Sequence, residues 1–321
     1  MILVTGATGF VGKAVCASLV SFRPVRVAVR NSAVQGLPDG VEVTQKLLLH
    51  DQDWSDALVG VNVVLHCAAR VHVMNEAAAD PLAEFRRVNV DGTLRLASQA
   101  AGAGVKRFVF ISSIKVNGEQ TRVGEPFTAD EQANPGDPYG VSKMEAENGL
   151  RKLAQETGME VVIIRPPLVY GPGVKANFLA MMRWLWRGLP LPLGAIAENR
   201  RSLVGLDNLV DFIGLCIDHP AAANQTFLVS DGEDLSTAAL LQRMGIALGR
   251  PARLIPVPAS FLRLGAILLG RPGVAQRLCG SLAVDITKTR ELLGWSPPVS
   301  VDEGLRRTAV HWLGTQGISH S

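Results

Sequence analysis

Apolar residues along the first half of the chain fall into short β-branched runs separated by segments of helical periodicity. Ile2-Leu3-Val4 predicts a strand and Val11 to Val20 a helix; Arg26 to Val29 and Val41-Glu42-Val43 predict two further strands. A short helix over Trp54 to Val59 precedes a strand over Val61 to His66. Asp80 followed by Pro81 is the pattern of an N-cap and first helical residue, and predicts one long helix reaching about Ala103. A strand over Arg107 to Ile111, a helix over Tyr139 to Thr157 and a strand over Val161 to Arg165 complete the alternation. The strands are almost continuously apolar, as in a parallel sheet covered on both faces, so the pattern predicts an α/β fold with a doubly wound parallel sheet. After Arg165 prolines and glycines crowd in (Pro166, Pro167, Gly171, Pro172, Gly173). This places a dinucleotide-binding domain over residues 1–170 and a smaller lobe over 171–321, with segments returning to the sheet. Gln316 to Ser321 are expected to fray.

The 321 residues carry 32 basic and 29 acidic side chains, a net charge of +3, which argues against a nucleic-acid partner. Hydrophobic residues make up 47% and charged ones 19%, so the chain can fill a large core. The longest apolar stretch, Phe261 to Gly270, contains Arg263 and falls short of the roughly 20 residues a spanning helix needs, so no membrane segment is expected. The high apolar share fits a parallel sheet covered on both faces. Cys16, Cys67, Cys216 and Cys279 are scattered without metal-ligand spacing. They read as reduced buried thiols, and with no leader pattern the expected location is the cytoplasm.

Gly6-Ala7-Thr8-Gly9-Phe10-Val11-Gly12 lies between the first strand and the first helix. There Gly6 permits a sharp turn, Gly9 lets backbone amides approach a pyrophosphate, and Gly12 permits close helix–sheet packing. The alternative is a mere glycine-rich turn, which the strand–turn–helix setting argues against. The second strand ends in Arg30-Asn31-Ser32 where NAD-binding units place an acid on the ribose hydroxyl. An arginine suits a 2′-phosphate, favouring NADP(H); the alternative is a solvated arginine with NAD(H) bound.

Tyr139 and Lys143 stand four residues apart, on one face of the predicted helix, in a chain with only two tyrosines. A nearby cation is expected to bring the phenol closer to working pH and make it a general acid/base. Ser112 and Ser113 end the neighbouring strand at the edge where open sheets bind ligands, and either could hydrogen-bond a substrate oxygen beside Tyr139. The chemistry implied is hydride transfer coupled to proton transfer at a carbinol or ketone.

With these motifs together, the chain resembles the extended short-chain dehydrogenase/reductases, in particular the NAD(P)-dependent sugar epimerase/dehydratase group. Further matching pieces are His66-Cys67-Ala68-Ala69-Arg70, Asn89-Val90-Asp91-Gly92-Thr93, Val116-Asn117-Gly118 and Arg165 to Gly173. The resemblance implies Ser113, Tyr139 and Lys143 as the catalytic triad. It implies a cofactor cleft lined by Gly6, Thr8, Gly9, Phe10, Val11, Gly12, Arg30, Asn31, Leu48, Ala68, Ala69, Arg70, Pro166 and Leu168, with Tyr139 and Lys143 also on the nicotinamide side. Asn177 and Arg201 match residues that bind the diphosphate of a nucleotide sugar, and Leu193 one near the uracil. Taken alone, Asn177 would be a helix cap and Arg201 a surface charge. The family's Asp-Leu before the third helix is replaced by Lys46-Leu47-Leu48-Leu49-His50, which leaves adenine recognition open. The Asp-Glu pair of its 4,6-dehydratases is replaced by Ile114-Lys115, which argues against dehydration.

Val71-His72-Val73-Met74, Ser112 to Gly118 and Leu203 to Leu209 are similar to bacterial nucleotide-sugar C4 ketoreductases. The first expectation is therefore NADPH-dependent reduction of a UDP-4-keto-6-deoxy-N-acetylhexosamine in surface-polysaccharide (O-antigen, lipopolysaccharide) synthesis, by a homodimer. The alternative is a UDP-sugar 4-epimerase with tightly bound NAD. A non-catalytic NADP-sensing protein of the same fold is a third, weakened by the retention of both Tyr139 and Lys143.

Overall fold

The computed structural model describes residues 1–31, 36–71, 80–268, 270 and 272–317. Ser32, His72-Val73-Met74 and residues 318–321 lie outside the described residues. The chain runs β1 (Ile2–Thr5), α1 (Phe10–Leu19), β2 (Val25–Val29), β3 (Glu42–Gln45), α2 (Ser55–Leu58), β4 (Val63–His66), α3 (Pro81–Phe85), a π-helical segment (Arg86–Asp91), α4 (Gly92–Gly102) and β5 (Arg107–Ile111). It continues through α5 (Pro138–Thr157), β6 (Glu160–Arg165), β7 (Leu168–Tyr170), α6 (Ala176–Trp186), β8 (Arg201–Gly205), α7 (Leu206–Asp218), β9 (Thr226–Leu228) and β10 (Asp234–Leu235). It ends with α8 (Thr237–Ala247), α9 (Ala259–Leu268), α10 (Pro272–Cys279), α11 (Thr287–Leu293) and α12 (Val301–Thr315).

Seven strands form one parallel sheet in the order β3-β2-β1-β4-β5-β6-β9, as the alternation predicts. Successive side chains of β5 show why its sequence is apolar throughout: Phe108 and Phe110 join Trp54, Leu96 and Leu150 on one face, while Val109 and Ile111 join Val15, Leu209 and Phe212 on the other. β9, from late in the chain, adds to the far edge beside β6. A second, three-stranded sheet, β10-β8-β7, backs an apolar cluster of Tyr170, Phe178, Leu241, Leu305 and Trp312.

Three local expectations shift. The third strand is displaced to Glu42–Gln45, an exposed edge in which Glu42 pairs with Arg26. Asp80 does cap a helix, accepting a hydrogen bond from the Ala83 amide at 3.0 Å, but the single helix expected as far as Ala103 is broken into α3, the π-helical turn and α4. A Cβ on Gly92, at the end of that turn, would stand 2.8 Å from the Leu48 carbonyl oxygen, so the close approach of the loop before α2 requires a glycine there. Finally, α9, which carries the apolar stretch beginning at Phe261, buries none of its residues, so that stretch does not add to the core as its apolar content would suggest. Among the described residues no helix is long and apolar enough to cross a membrane.

Candidate active site

The sheet reverses its winding between β1 and β4, and open α/β sheets bind ligands in the crevice beyond such a switch point. Gly6 follows β1 with φ +70°, and a Cβ there would lie 2.6 Å from the backbone nitrogen of Ala68, which follows β4. A Cβ on Gly12 would lie 2.2 Å from the Gly6 carbonyl oxygen. The two glycines thus draw both strand ends and α1 together. Gly9 caps α1 with no side chain, and Thr8 and Gly9 are exposed, so the first amides of the helix face the crevice. That cradle, held open for backbone and lacking a side-chain cap, suits the pyrophosphate of a dinucleotide.

The floor of the crevice is fixed by buried polar contacts. His66 bonds Thr5 Oγ1 through Nδ1 (2.7 Å) and Thr93 Oγ1 through Nε2 (2.9 Å). Burial, helped by the charge on Lys143, pushes its pKa down to about 3, so it is a neutral bridge. Asn89, in the π-helical turn, accepts from the Arg70 amide (2.8 Å) and donates to the Arg70 carbonyl (3.0 Å) and to Ser142 Oγ (3.0 Å), tying the Ala68-Ala69-Arg70 loop to α5. Leu48 packs against this region through Gly92, while Arg30 and Asn31 lie exposed at the end of β2. Ile114 donates its amide to the Pro166 carbonyl at 3.1 Å, and Leu168 is exposed beside it.

The triad residues converge from β5 and α5. Asp137 caps α5 by accepting from the Gly140 amide (2.7 Å), and Pro138 follows as the first helical residue. Lys143 is 1% exposed; its ammonium donates to the Ile111 carbonyl at 2.7 Å and sits 4.0 Å from the Phe110 ring centroid. Burial pulls its pKa down to about 7, against the charge of Glu147. Ser112 and Ser113, adjacent in sequence, separate here: Ser112 is buried and donates to Glu147 at 2.5 Å, whereas Ser113 is partly exposed and hydrogen-bonds Tyr139. The phenol departs from expectation. Burial, then the charge of Asp137, pushes Tyr139 up to about 12, against the Ser113 bond. The Lys143 ammonium donates to the Ile111 carbonyl, and with its pKa raised the Tyr139 phenol is held protonated near neutrality.

Two supporting contacts were not read from the sequence. Lys115 reaches both Asp137 and Glu119, clamping the turn after Ser113 to the start of α5. Its presence where dehydratases carry an acid is therefore a positive feature of the fold. Beneath the triad, Glu147 also accepts from Arg165 Nε (2.9 Å) and Nη2 (2.6 Å) and from Arg151 (2.8 Å), and Arg165 donates to Asn117 at 2.9 Å.

The second-lobe candidates are less convergent. Asn177 is exposed near the start of α6, where no side chain caps the helix. Leu193 is buried in the second-lobe cluster with Leu191 and Ile196. Arg201 donates to the backbone carbonyls of Arg277 (2.8 Å) and Gly280 (3.2 Å), and burial lowers its pKa.

Residues 2–230 match the family described as "NAD dependent epimerase/dehydratase family". The chain belongs to that family. Within this epimerase/dehydratase family it is 50% identical over 314 residues to a Vibrio cholerae protein named UDP-glucose 4-epimerase, covering 97% of this chain and 95% of that one. It is 30% identical to a UDP-glucose 4-epimerase of Mycolicibacterium smegmatis, over 95% and 96% of the two chains. A Thermotoga maritima UDP-glucose 4-epimerase solved with UDP-glucose superposes with a TM-score of 0.77 at 25% identity, covering 98% and 99%. An Agrobacterium tumefaciens short-chain dehydrogenase/reductase superfamily protein with bound NAD gives 0.77 at 27%, covering 99% and 98%. The chain is thus a nicotinamide-dependent enzyme of the extended short-chain dehydrogenase/reductase type, as its motifs imply.

Proposed function

We propose that this epimerase/dehydratase-family enzyme inverts C4 of a UDP-sugar with NAD retained in the crevice. The observation that carries the reading is the 50% identity, over nearly the whole of both chains, to a protein named for that reaction. The ketoreductase expectation gives way to the alternative on that ground.

Bound NAD would supply hydride acceptance and return, together with a positive charge in the crevice. The residues that fit it are Gly6, Gly9 and Gly12 at the pyrophosphate and the Ala68–Arg70 backbone alongside. Tyr139 takes the proton of the C4 hydroxyl on oxidation and gives it back on reduction, and Ser113 holds the same oxygen in place. With its pKa raised to about 12 the phenol is protonated near neutrality, and it takes the C4 proton only as the phenolate; positive charge near it favours that form, and Lys143 in its protonated form is the chain's own contribution. Nothing in this cycle needs the Asp-Glu pair of the dehydratases, and Lys115 is committed to Asp137 and Glu119.

A second reading, net reduction by NADPH, rests on Arg30, exposed at the end of β2 where an acid would select NAD. One experiment separates the two. The purified protein is denatured to release bound nucleotide, then the intact protein is given UDP-glucose or UDP-N-acetylglucosamine without added cofactor. Epimer formation with co-purified NAD is expected, and Tyr139→Phe is expected to lower kcat about 10²–10⁴-fold. Stoichiometric NADPH oxidation by a 4-keto sugar, with no epimer formed by the parent, would establish the reductase instead.

A further inference from the structure

The longest apolar run in the chain, which starts at Phe261, forms a helix that is not covered. Along α9, Phe261 is 66% exposed, Leu264 55%, Ile267 61% and Leu268 79%. The inward side is anchored: Ala259 and Leu262 of α9 and Leu278 of α10 pack against the second-lobe cluster, while Ala275 and Cys279 of α10 are buried. α9 and α10 pack on each other. The hairpin is also rooted below, since Arg201 donates to the Arg277 carbonyl and Ser281 pairs with Thr121. The exposed apolar side is therefore a defined face of a held element.

Charge says what that face meets. Residues 235–284 contain six arginines (243, 250, 253, 263, 271 and 277) and no aspartate, glutamate or lysine. Of these, Arg243 is paired with Glu233 and Asp302 and Arg250 stacks on Trp186, whereas Arg263 and Arg277 belong to the hairpin itself, which carries no acidic residue. Arg263 lies among the exposed apolar residues, and Arg277 is exposed on α10. A second copy pairing through this face by a two-fold axis would bring these arginines together without an acidic partner from the same segment. An aqueous polyanion would meet the arginines but leave Phe261, Leu264 and Leu268 in water. Apolar side chains interleaved with cations match the boundary between acyl chains and anionic headgroups. Ten helical residues span about 15 Å, too short to cross a bilayer but long enough to lie along one.

We propose that the α9–α10 hairpin seats this enzyme peripherally on an anionic phospholipid bilayer. This departs from the expectation of no membrane partner, which was drawn from the lack of a spanning segment. It is independent of which sugar reaction the site performs.

The test uses the full chain in flotation with phosphatidylethanolamine vesicles that contain or lack phosphatidylglycerol. The parent should float with the anionic vesicles, less so as salt screens the arginines, and remain unbound with phosphatidylethanolamine alone. Phe261→Ser/Leu264→Ser/Leu268→Ser, all at exposed positions, should weaken partitioning roughly tenfold or more while melting like the parent. Arg263→Gln/Arg277→Gln should lower binding and flatten its salt dependence. A parent that ignores anionic vesicles, or a triple-serine variant that binds like the parent, overturns the proposal. So does a parent dimer in sedimentation that the triple-serine variant alone abolishes, with no vesicle binding; the face would then be a self-association surface.

Discussion

Glu147 is the point at which the site's scaffold can be weakened most selectively. Its carboxylate is fully buried and receives hydrogen bonds from Ser112, Arg151 and twice from Arg165, whose own side chain is almost fully buried. Replacing Glu147 by Gln keeps the shape but leaves the Arg165 charge without its counter-charge in the interior. Breaking such a buried pair costs about 3–5 kcal/mol. With an unfolding entropy of about 0.7 kcal/mol/K for a chain of this length, the melting temperature should fall by roughly 4–7 °C at pH 7. The pH dependence supplies a sharper check. Burial raises the Glu147 pKa, but Arg165 and Ser112 outweigh it and hold the group below its ordinary 4.5. A carboxylate depressed on folding stabilises fully above its unfolded pKa and loses that contribution as pH falls through the folded one. The gap between parent and Glu147→Gln should therefore be constant near neutrality and narrow below about pH 4.5. Differential scanning calorimetry at stepped pH measures both. A variant melting within about 1 °C of the parent at pH 7, or a gap that does not narrow in acid, would refute the assignment of Glu147 as a net stabilising anion.

Two other substitutions test neighbouring parts of the site. Gly12→Ala would place a methyl group 2.2 Å from the Gly6 carbonyl oxygen; we expect about 1–3 kcal/mol of destabilisation and a cofactor Kd raised about tenfold or more in a fluorescence titration, and an unchanged Kd would mean the turn does not hold the dinucleotide. Lys143 has its folded pKa lowered by burial to about 7 from 10.5, so between those values the unfolded chain binds more protons and stability rises with pH. Relative to Lys143→Met, the urea midpoint of the cofactor-free parent should therefore increase from pH 7 to pH 9, and a constant difference would show that Lys143 is not held near neutrality.

What could be read from the chain alone was whatever neighbouring residues decide between themselves. The turn from Gly6 to Gly12 is local, and its strand and helix are adjacent in sequence. Tyr139 and Lys143 share a helical face because four residues make about one turn. Ser112 and Ser113 remained equivalent on their residues because consecutive strand residues point to opposite sides, and the side taken by α5 is a tertiary fact. It is Glu147, one turn beyond Lys143, that engages Ser112 and leaves Ser113 to meet Tyr139. The Glu147–Arg165 pair was hidden because it forms only once β6 lies beside β5 under α5. The phenol's pKa was misjudged for a related reason: sequence spacing counts the nearby cation but not the burial, nor Asp137 placed beside the ring by its capping role.

The same distinction explains α9. Phe261, Leu264 and Leu268 follow the spacing of an inward stripe, and a pattern of that kind ordinarily marks the buried face. Here Leu262 occupies the inward face as well, so the helix is apolar on nearly every side and the pattern cannot say which side is covered. A helix apolar all round is stable in water only if something else meets its second side, and in this chain nothing among the described residues does. Apolar content of 47% was consistent with core everywhere; the exposure of four large apolar side chains along ten residues shows that one part of it faces outward. The charge of the hairpin, Arg263 and Arg277 with no acidic residue, then narrows what can stand opposite. Neither the periodicity nor the charge was informative until the fold showed the exposed apolar residues together with Arg263 and Arg277 on one hairpin.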